Sequence, residues 1–236
     1  DAFVYLDSPE FSWAQDLAET LENDYDSVAV VDVLSGLEGD MLEWDHSHGG
    51  EGADHDGENH GDENHDGENH DGETRHDPHV WVDPVLAAEM VETIAAGLGE
   101  ADPDNADAYA ANADAYADEL DAVDDAFESI AEDAARDVAV LAGHNSFQYL
   151  EARYGFRLRS PVGVSPQNEP TQTEIADTID LVDAEGIDVV LYDRFQSPRL
   201  AESIVENSGA TEAVPVTPAG GTTREWNDAG YGYLEQ

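Results

Sequence analysis

Histidine is spread unevenly along this chain. Seven of the nine lie between His46 and His76, and His55, His60, His65 and His70 recur every five residues among Asp, Glu, Gly and Asn. Neutral imidazoles at that density collect transition cations by mass action, without a fixed geometry. The segment from about residue 40 to 76 has little to bury and is expected to be disordered and solvated. His46, His48, His55, His60, His65, His70 and His76 are therefore candidates for an auxiliary metal-capture loop. His79 and His144 are different in kind. The first stands in Asp77-Pro78-His79-Val80-Trp81-Val82-Asp83-Pro84, the second in Gly143-His144-Asn145 directly after the apolar run Val138 to Ala142. Either one alone reads as an ordinary structural residue. Two imidazoles brought together from distant parts of a chain make a partial metal site that favours zinc, copper, nickel or iron over calcium or magnesium.

The elements that must position them can be read from periodicity and capping. Asp83 followed by Pro84 is an N-cap with proline at the first helical position. The helix it opens carries Val85, Leu86, Met90, Val91 and Ile94 on one face, and Gly97 and Gly99 are expected to end it after Leu98. Upstream, Ala2 to Leu6 and Val28 to Val33 read as buried strands around a helix from about Trp13 to Glu22, with Trp13, Leu17 and Leu21 as its apolar stripe. Asp102-Pro103 opens the longest helix, about Asn105 to Ile130, whose Tyr109, Tyr116, Leu120, Val123, Phe127 and Ile130 keep one face throughout. At 1.5 Å per residue it is about 39 Å long, enough to join two lobes, although an ordinary amphipathic surface helix fits the same pattern.

A second alternation follows: strand 138–142, helix 146–154, loop 161–171, helix 173–184, strand 189–192, helix 198–207 and strand 213–216. The expected class is α/β, two lobes with parallel sheets joined by one long helix. The lobes are residues 1–103 and 135–236, with 104–134 as the link. His144 then sits where a parallel strand ends, the position at which open α/β sheets place their ligand sites.

Composition narrows the function. All eight basic residues are arginine, set against 56 acidic ones, and 42 of the acids lie outside the stretch from Asp40 to Asp77. A fold so charged repels itself unless counterions screen it, and at ~1 M salt the Debye length is about 3 Å, so the composition reads as adaptation to high salt. Nucleic acid and anionic membranes are excluded as partners, since both call for clustered Lys and Arg. There is no cysteine, and no apolar run approaches the ~18 residues of a membrane span. No His-Glu-x-x-His motif, nucleophile elbow or phosphate-cradling glycine loop is present, so catalysis has no visible machinery. A metallohydrolase would need a general base, for which Glu169 is the one candidate.

With these residues in view, the chain resembles the zinc- and manganese-binding solute-binding proteins of ABC transporters. Asp77 to Pro84 is similar to the family's Asp-Pro-His-x-Trp-x-Asp-Pro signature, and Gly143 to Phe156 to the segment with a second ligand histidine. Ser165 to Thr171 resembles the loop beside the site, and Tyr192 to Ala201 the stretch after a late strand. The resemblance implies a non-enzymatic, extracytoplasmic receptor, acting as a monomer, that captures a divalent metal and delivers it to an ABC transporter permease. It implies His79 and His144 as ligands and Zn²⁺ as cargo. Mn²⁺ is the alternative, although manganese-selective relatives usually place a carboxylate where His144 stands. A histidine-rich insert ahead of the signature is typical of zinc-selective members. The family's first ligand histidine falls upstream of Asp1, so the N-terminal lobe is expected to be incomplete here and an absent N-terminal segment to carry a membrane anchor. The chain also stops soon after Tyr233, ahead of the family's usual closing helix. The family's late aspartate ligand falls on Thr217, a poor zinc ligand, which leaves Glu169, Asp193, a loop histidine or water for the remaining positions. A metal buffer without a transporter is the competing reading.

Overall fold

A computed structural model describes residues 1–43, 76–163 and 169–236. The expected disorder of the histidine repeat, with His46, His48, His55, His60, His65 and His70, lies outside the described residues, as do residues 164–168. The first sheet pairs β1 (Ala2–Tyr5) with β2 (Ala29–Asp32) in parallel, Ala2 opposite Ala29 and Tyr5 opposite Asp32. Between them runs α1 (Ser12–Asp24). Its buried residues are Ala14 and Ala18, whereas Trp13 is 65 % exposed and Leu17 also faces outward. The stripe expected from Trp13, Leu17 and Leu21 therefore needs correction. A two-stranded sheet offers a narrow face, and small alanines fit closest against it.

The second sheet has four parallel strands in the order β4-β3-β5-β6: β3 is Val138–Leu141, β4 Arg157–Arg159, β5 Val189–Asp193 and β6 Glu212–Val216. Helices α4 (Gln148–Tyr154), α5 (Gln172–Glu185) and α6 (Arg199–Glu206) link successive strands. Its core is Val140, Val182, Val190, Ala201 and Ile204, all free of solvent. From β3 the chain goes to one side as β4 and returns to the other as β5. The carboxyl ends of β3 and β5 thus form a topological switch point.

Between the sheets lie α2 (Pro84–Ala101) and the 28-residue α3 (Ala106–Asp133), which at 1.5 Å per residue is about 42 Å long. The two helices pack along each other, and α3 also reaches α4. Gly97 and Gly99 do not end α2, which continues to Ala101. A Cβ on Gly97 would stand 2.5 Å from Val31 Cγ2, and one on Gly99 would stand 3.2 Å from the Ala106 Cβ. Both glycines let the helix pass close to its neighbours. The lobes share an apolar seam: Tyr149 of α4 joins Val33, Leu34, Val80 and Leu86, while Val82 joins Leu141, Phe147 and Leu150. Two elements had no counterpart in the sequence reading, β4 and the short α7 (Arg224–Ala229) capped by Thr223. Among the described residues no helix is long and apolar enough to cross a membrane.

Candidate metal centre

His79 opens a short 3-10 turn, His79–Val82. The turn is clamped at both ends. Asp83 caps α2 by accepting from the Val85 and Leu86 amides, and its second oxygen takes the Arg153 guanidinium of α4 at 2.6 Å. On the other side Tyr149 donates to the Asp77 carbonyl at 2.8 Å and accepts from the Leu42 amide at 3.2 Å. Burial pushes the Tyr149 phenol well above its ordinary pKa, so it stays a donor. Trp81 reaches the end of β6, its indole N–H donating to the Pro218 carbonyl at 2.8 Å, while the Tyr233 hydroxyl donates to the Trp81 carbonyl. The signature turn is thus tied to the C-terminal lobe at several points.

Asp77 fixes the His79 ring. Its Oδ1 accepts both the His79 backbone N–H at 3.0 Å and Nδ1 at 2.5 Å. An ionised carboxylate only accepts, so Nδ1 carries the ring proton and Nε2 is left with a free lone pair. Orienting a ring in this way is what outer carboxylates do for metal-ligating histidines. Asp77 is 1 % exposed, and its Oδ2 has no hydrogen-bond partner among the described residues. A buried, half-satisfied anion is costly unless a cation compensates it.

His144 is placed by the turn after β3. Gly143 offers its carbonyl to the Ser160 hydroxyl, and the Asn145 amide donates to the Gly163 carbonyl at 2.6 Å. The Asn145 side chain accepts from the Phe147 amide at 3.0 Å and donates to Glu151 at 2.5 Å. Burial raises the Glu151 pKa against the hydrogen bonds that would lower it. Burial, and then the neighbouring His79, hold the His144 pKa below the ordinary imidazole value, with Asp193 and Asp77 opposing.

The two rings meet. Their centroids are 5.5 Å apart at an interplanar angle of 43°. An ion at the usual Zn–N distance lies roughly 3.2 Å from a ring centre, so two imidazoles on one tetrahedral ion have centroids about 5.2 Å apart. The observed approach fits a shared ion.

Of the other candidates, Asp193 lies near enough to His144 to act on its pKa and shares Gln196 with it. Asp193 is buried at the end of β5 with both oxygens engaged, Oδ1 by the Phe195 amide at 2.9 Å and Oδ2 by Gln196 Nε2 at 3.3 Å. Thr217 accepts from the Ala219 amide through its hydroxyl at 3.0 Å. Glu169 is exposed. His76 pairs with Glu43 in an isolated antiparallel bridge, which brings together the two stems of the histidine segment next to Asp77. No group of three or more His, Cys, Asp or Glu able to hold a metal forms among the described residues.

The family model described as zinc-uptake complex component A, periplasmic (ZnuA), matches residues 1–235. The chain belongs to the ZnuA family. A zinc-binding lipoprotein AdcA of Streptococcus pneumoniae is 31 % identical over 237 residues, covering 99 % of this chain and 43 % of that protein. The high-affinity zinc uptake system protein ZnuA of Bacillus subtilis is 29 % identical over 159 residues, 67 % of this chain and 49 % of its own. The chain thus spans under half the length of these relatives. The crystal structure of the Zn(II)-bound ZnuA-like domain of the pneumococcal AdcA superposes with a TM-score of 0.69 at 27 % identity, covering 99 % of this chain and 74 % of that one. The two lobes and the long helix are thus those of the ZnuA family's metal-receptor fold.

Two residues that bear on the site escaped the sequence reading. Asp77 was visible as part of the signature, and its place two residues before a histidine was the signal for a ring partner. Gln196 gave none, because its contact with His144 spans 52 residues.

Proposed function

We propose that this chain is the extracytoplasmic zinc receptor of an ABC transport system. His79 and His144 hold the ion between residues 1–103 and 135–236, and the chain hands it to a membrane permease. The observation that carries the reading is the 5.5 Å approach of two rings, one of them oriented by the buried Asp77 carboxylate. Zn²⁺ is favoured over Mn²⁺ because a second imidazole, not a carboxylate, faces the first, and borderline-soft zinc suits nitrogen. Zn(II)-bound relatives agree with that choice. Relatives named as lipoprotein and periplasmic component support an extracytoplasmic, membrane-anchored setting. Thr217, Glu169 and Asp193 stay outside the first coordination sphere, whose remaining positions fall to water or to a loop histidine. The loop histidines raise the local zinc concentration at the stem beside Asp77.

Competition titration against a chelator of known affinity tests this. The His79→Ala, His144→Ala double variant should keep only weak, loop-dependent zinc binding. Tight binding unchanged in that variant would overturn the assignment.

A further inference from the structure

The two histidines are held by unlike partners. The Gln196 side-chain nitrogen lies 3.1 Å from His144 Nδ1 and 3.3 Å from Asp193 Oδ2. A carboxylate has no proton to give, so the half of the amide that faces Asp193 is the NH₂. Asp193 cannot turn away, because it is buried at 7 % exposure and its Oδ1 is held by the Phe195 amide. The Gln196 backbone is held in the same turn, its N–H donating to the Asp193 carbonyl at 2.9 Å, while its side chain is exposed to solvent. The second proton of the amide therefore points at Nδ1 of His144, which must accept it. A neutral imidazole has one N–H, and here that leaves it on Nε2.

We infer that Gln196, held toward Asp193, is a positioning residue that keeps metal-free His144 in the Nε2–H tautomer, so that loading an ion on Nε2 requires the amide to reverse or to leave the ring for solvent. The inference rests on the receptor reading for its functional meaning, but the tautomer itself can be observed without metal. On loading, the proton on Nε2 passes to solvent and one is taken up on Nδ1, with no net change in charge on the ring. Nδ1–H then meets a donor, so the exposed amide either releases the ring to solvent or turns its carbonyl to His144, which breaks its hydrogen bond to Asp193. A hydrogen bond to a charged group lost in this way weakens binding by up to about tenfold. For a receptor that must give up its cargo, this is a built-in bias toward release.

An isosteric change isolates the effect. In Asp193→Asn, the new side-chain NH₂ can donate to the Gln196 carbonyl, which then also accepts from His144 Nδ1–H. The locked arrangement is thereby inverted without loss of volume. The experiment is long-range ¹H–¹⁵N NMR of histidine side chains in the metal-free protein, with residue 144 assigned through His144→Gln, followed by zinc competition titration. Wild-type His144 should carry its proton on Nε2. In Asp193→Asn the proton should move to Nδ1, and zinc should bind about tenfold tighter, although a negative charge near the cation has been removed. Gln196→Leu, which removes the amide altogether, should give mixed tautomers and intermediate affinity. Should wild-type His144 already carry its proton on Nδ1, or should both variants leave its tautomer unchanged, the inference is overturned. Weaker zinc binding in Asp193→Asn overturns it too, and would make Asp193 a ligand instead. A wild-type protein showing the inferred tautomer but no tight zinc site would sink the receptor reading alone.

Discussion

His79 and His144 are the same side chain in opposite chemical settings. Around His79 a buried carboxylate accepts from Nδ1 and leaves Nε2 ready for a cation, at the cost of an oxygen on Asp77 that no described residue satisfies. Around His144 an amide donates to Nδ1, and the nearby carboxylate of Asp193 holds that amide with one oxygen and the Phe195 backbone N–H with the other. The N-terminal half is strained toward gaining a positive charge, whereas the C-terminal half is satisfied without one. One donor set thus recruits the ion and the other must rearrange to keep it, a division suited to capture followed by release. The seam between the halves does not blur this contrast, because Val82, Leu141 and Phe147 pack across it and hold the two turns in register.

The strongest test of that asymmetry is removal of each ring in turn. If the ~10–16 kcal/mol of a tetrahedral zinc site is shared among four ligands, losing one costs roughly 3 kcal/mol, or about a hundredfold in affinity. His79→Ala should lose at least that much. His144→Ala should lose less, since the wild-type ring gives up a hydrogen bond in order to bind. Equal losses, measured by chelator competition, would erase the distinction.

Next in size is the same chemical change made on both sides. Asp77→Asn should weaken zinc about 10- to 100-fold by withdrawing the charge that orients and polarises His79. Its effect on metal-free stability should be neutral or favourable, because it replaces an anion with an unpaired buried oxygen. Zinc titration and urea melts of Asp77→Asn beside Asp193→Asn would expose the opposite signs. Parallel weakening in the two variants would mean that both carboxylates serve the ion alike.

A smaller effect is expected where the C-terminal turn is built. The Asn145 side chain makes two hydrogen bonds that shape the His144 turn, so Asn145→Ala should cost about 2 kcal/mol in urea unfolding. Zinc affinity should fall with it, through His144 alone. A stable variant with intact affinity would show that the turn is set by Ser160 and Gly163 instead.

How far these settings could be read in advance follows from the range of the interactions involved. Asp83 as a cap and the existence of the strands were legible because propensity and periodicity are local, but the stripe of α3 does not reach Ile130, which is 65 % exposed, and β1 is only half-buried, with Val4 facing outward. His79 and His144 stood out because they were the histidines in apolar company. Gly97 and Gly99 were misread as a helix end, since a glycine's local preference says nothing of Val31 or Ala106 pressing against it. The stripe on α1 failed for a related reason: only the sheet decides which face is covered. Arg157-Leu158-Arg159 has too little apolar character to announce a strand, and it becomes one by pairing with β3. Asp193 drew attention as a possible ligand, but only the fold shows that both its oxygens are already engaged.

The smallest predicted effect concerns protons instead of zinc. Burial and the nearby His79 depress the His144 pKa in the folded protein, while in the unfolded chain the ring titrates near 6.5. Below that pH the unfolded state takes up a proton at residue 144 that the native state refuses. Linkage then removes stability as pH falls through about 6.5, down to the lowered native value. Above 6.5 both states are neutral at this ring and the contribution is flat. Urea melts of the metal-free protein at pH 7.5 and pH 5.5 should therefore show a larger acid loss for wild type than for His144→Gln, which has no ring to protonate. Since Gln196 donates to Nδ1 and so favours the neutral ring, Gln196→Leu should fall between the two. An acid loss identical in all three proteins would mean that the amide does not discriminate between protonation states of His144, and the contrast with His79 would then rest on the carboxylate of Asp77 alone.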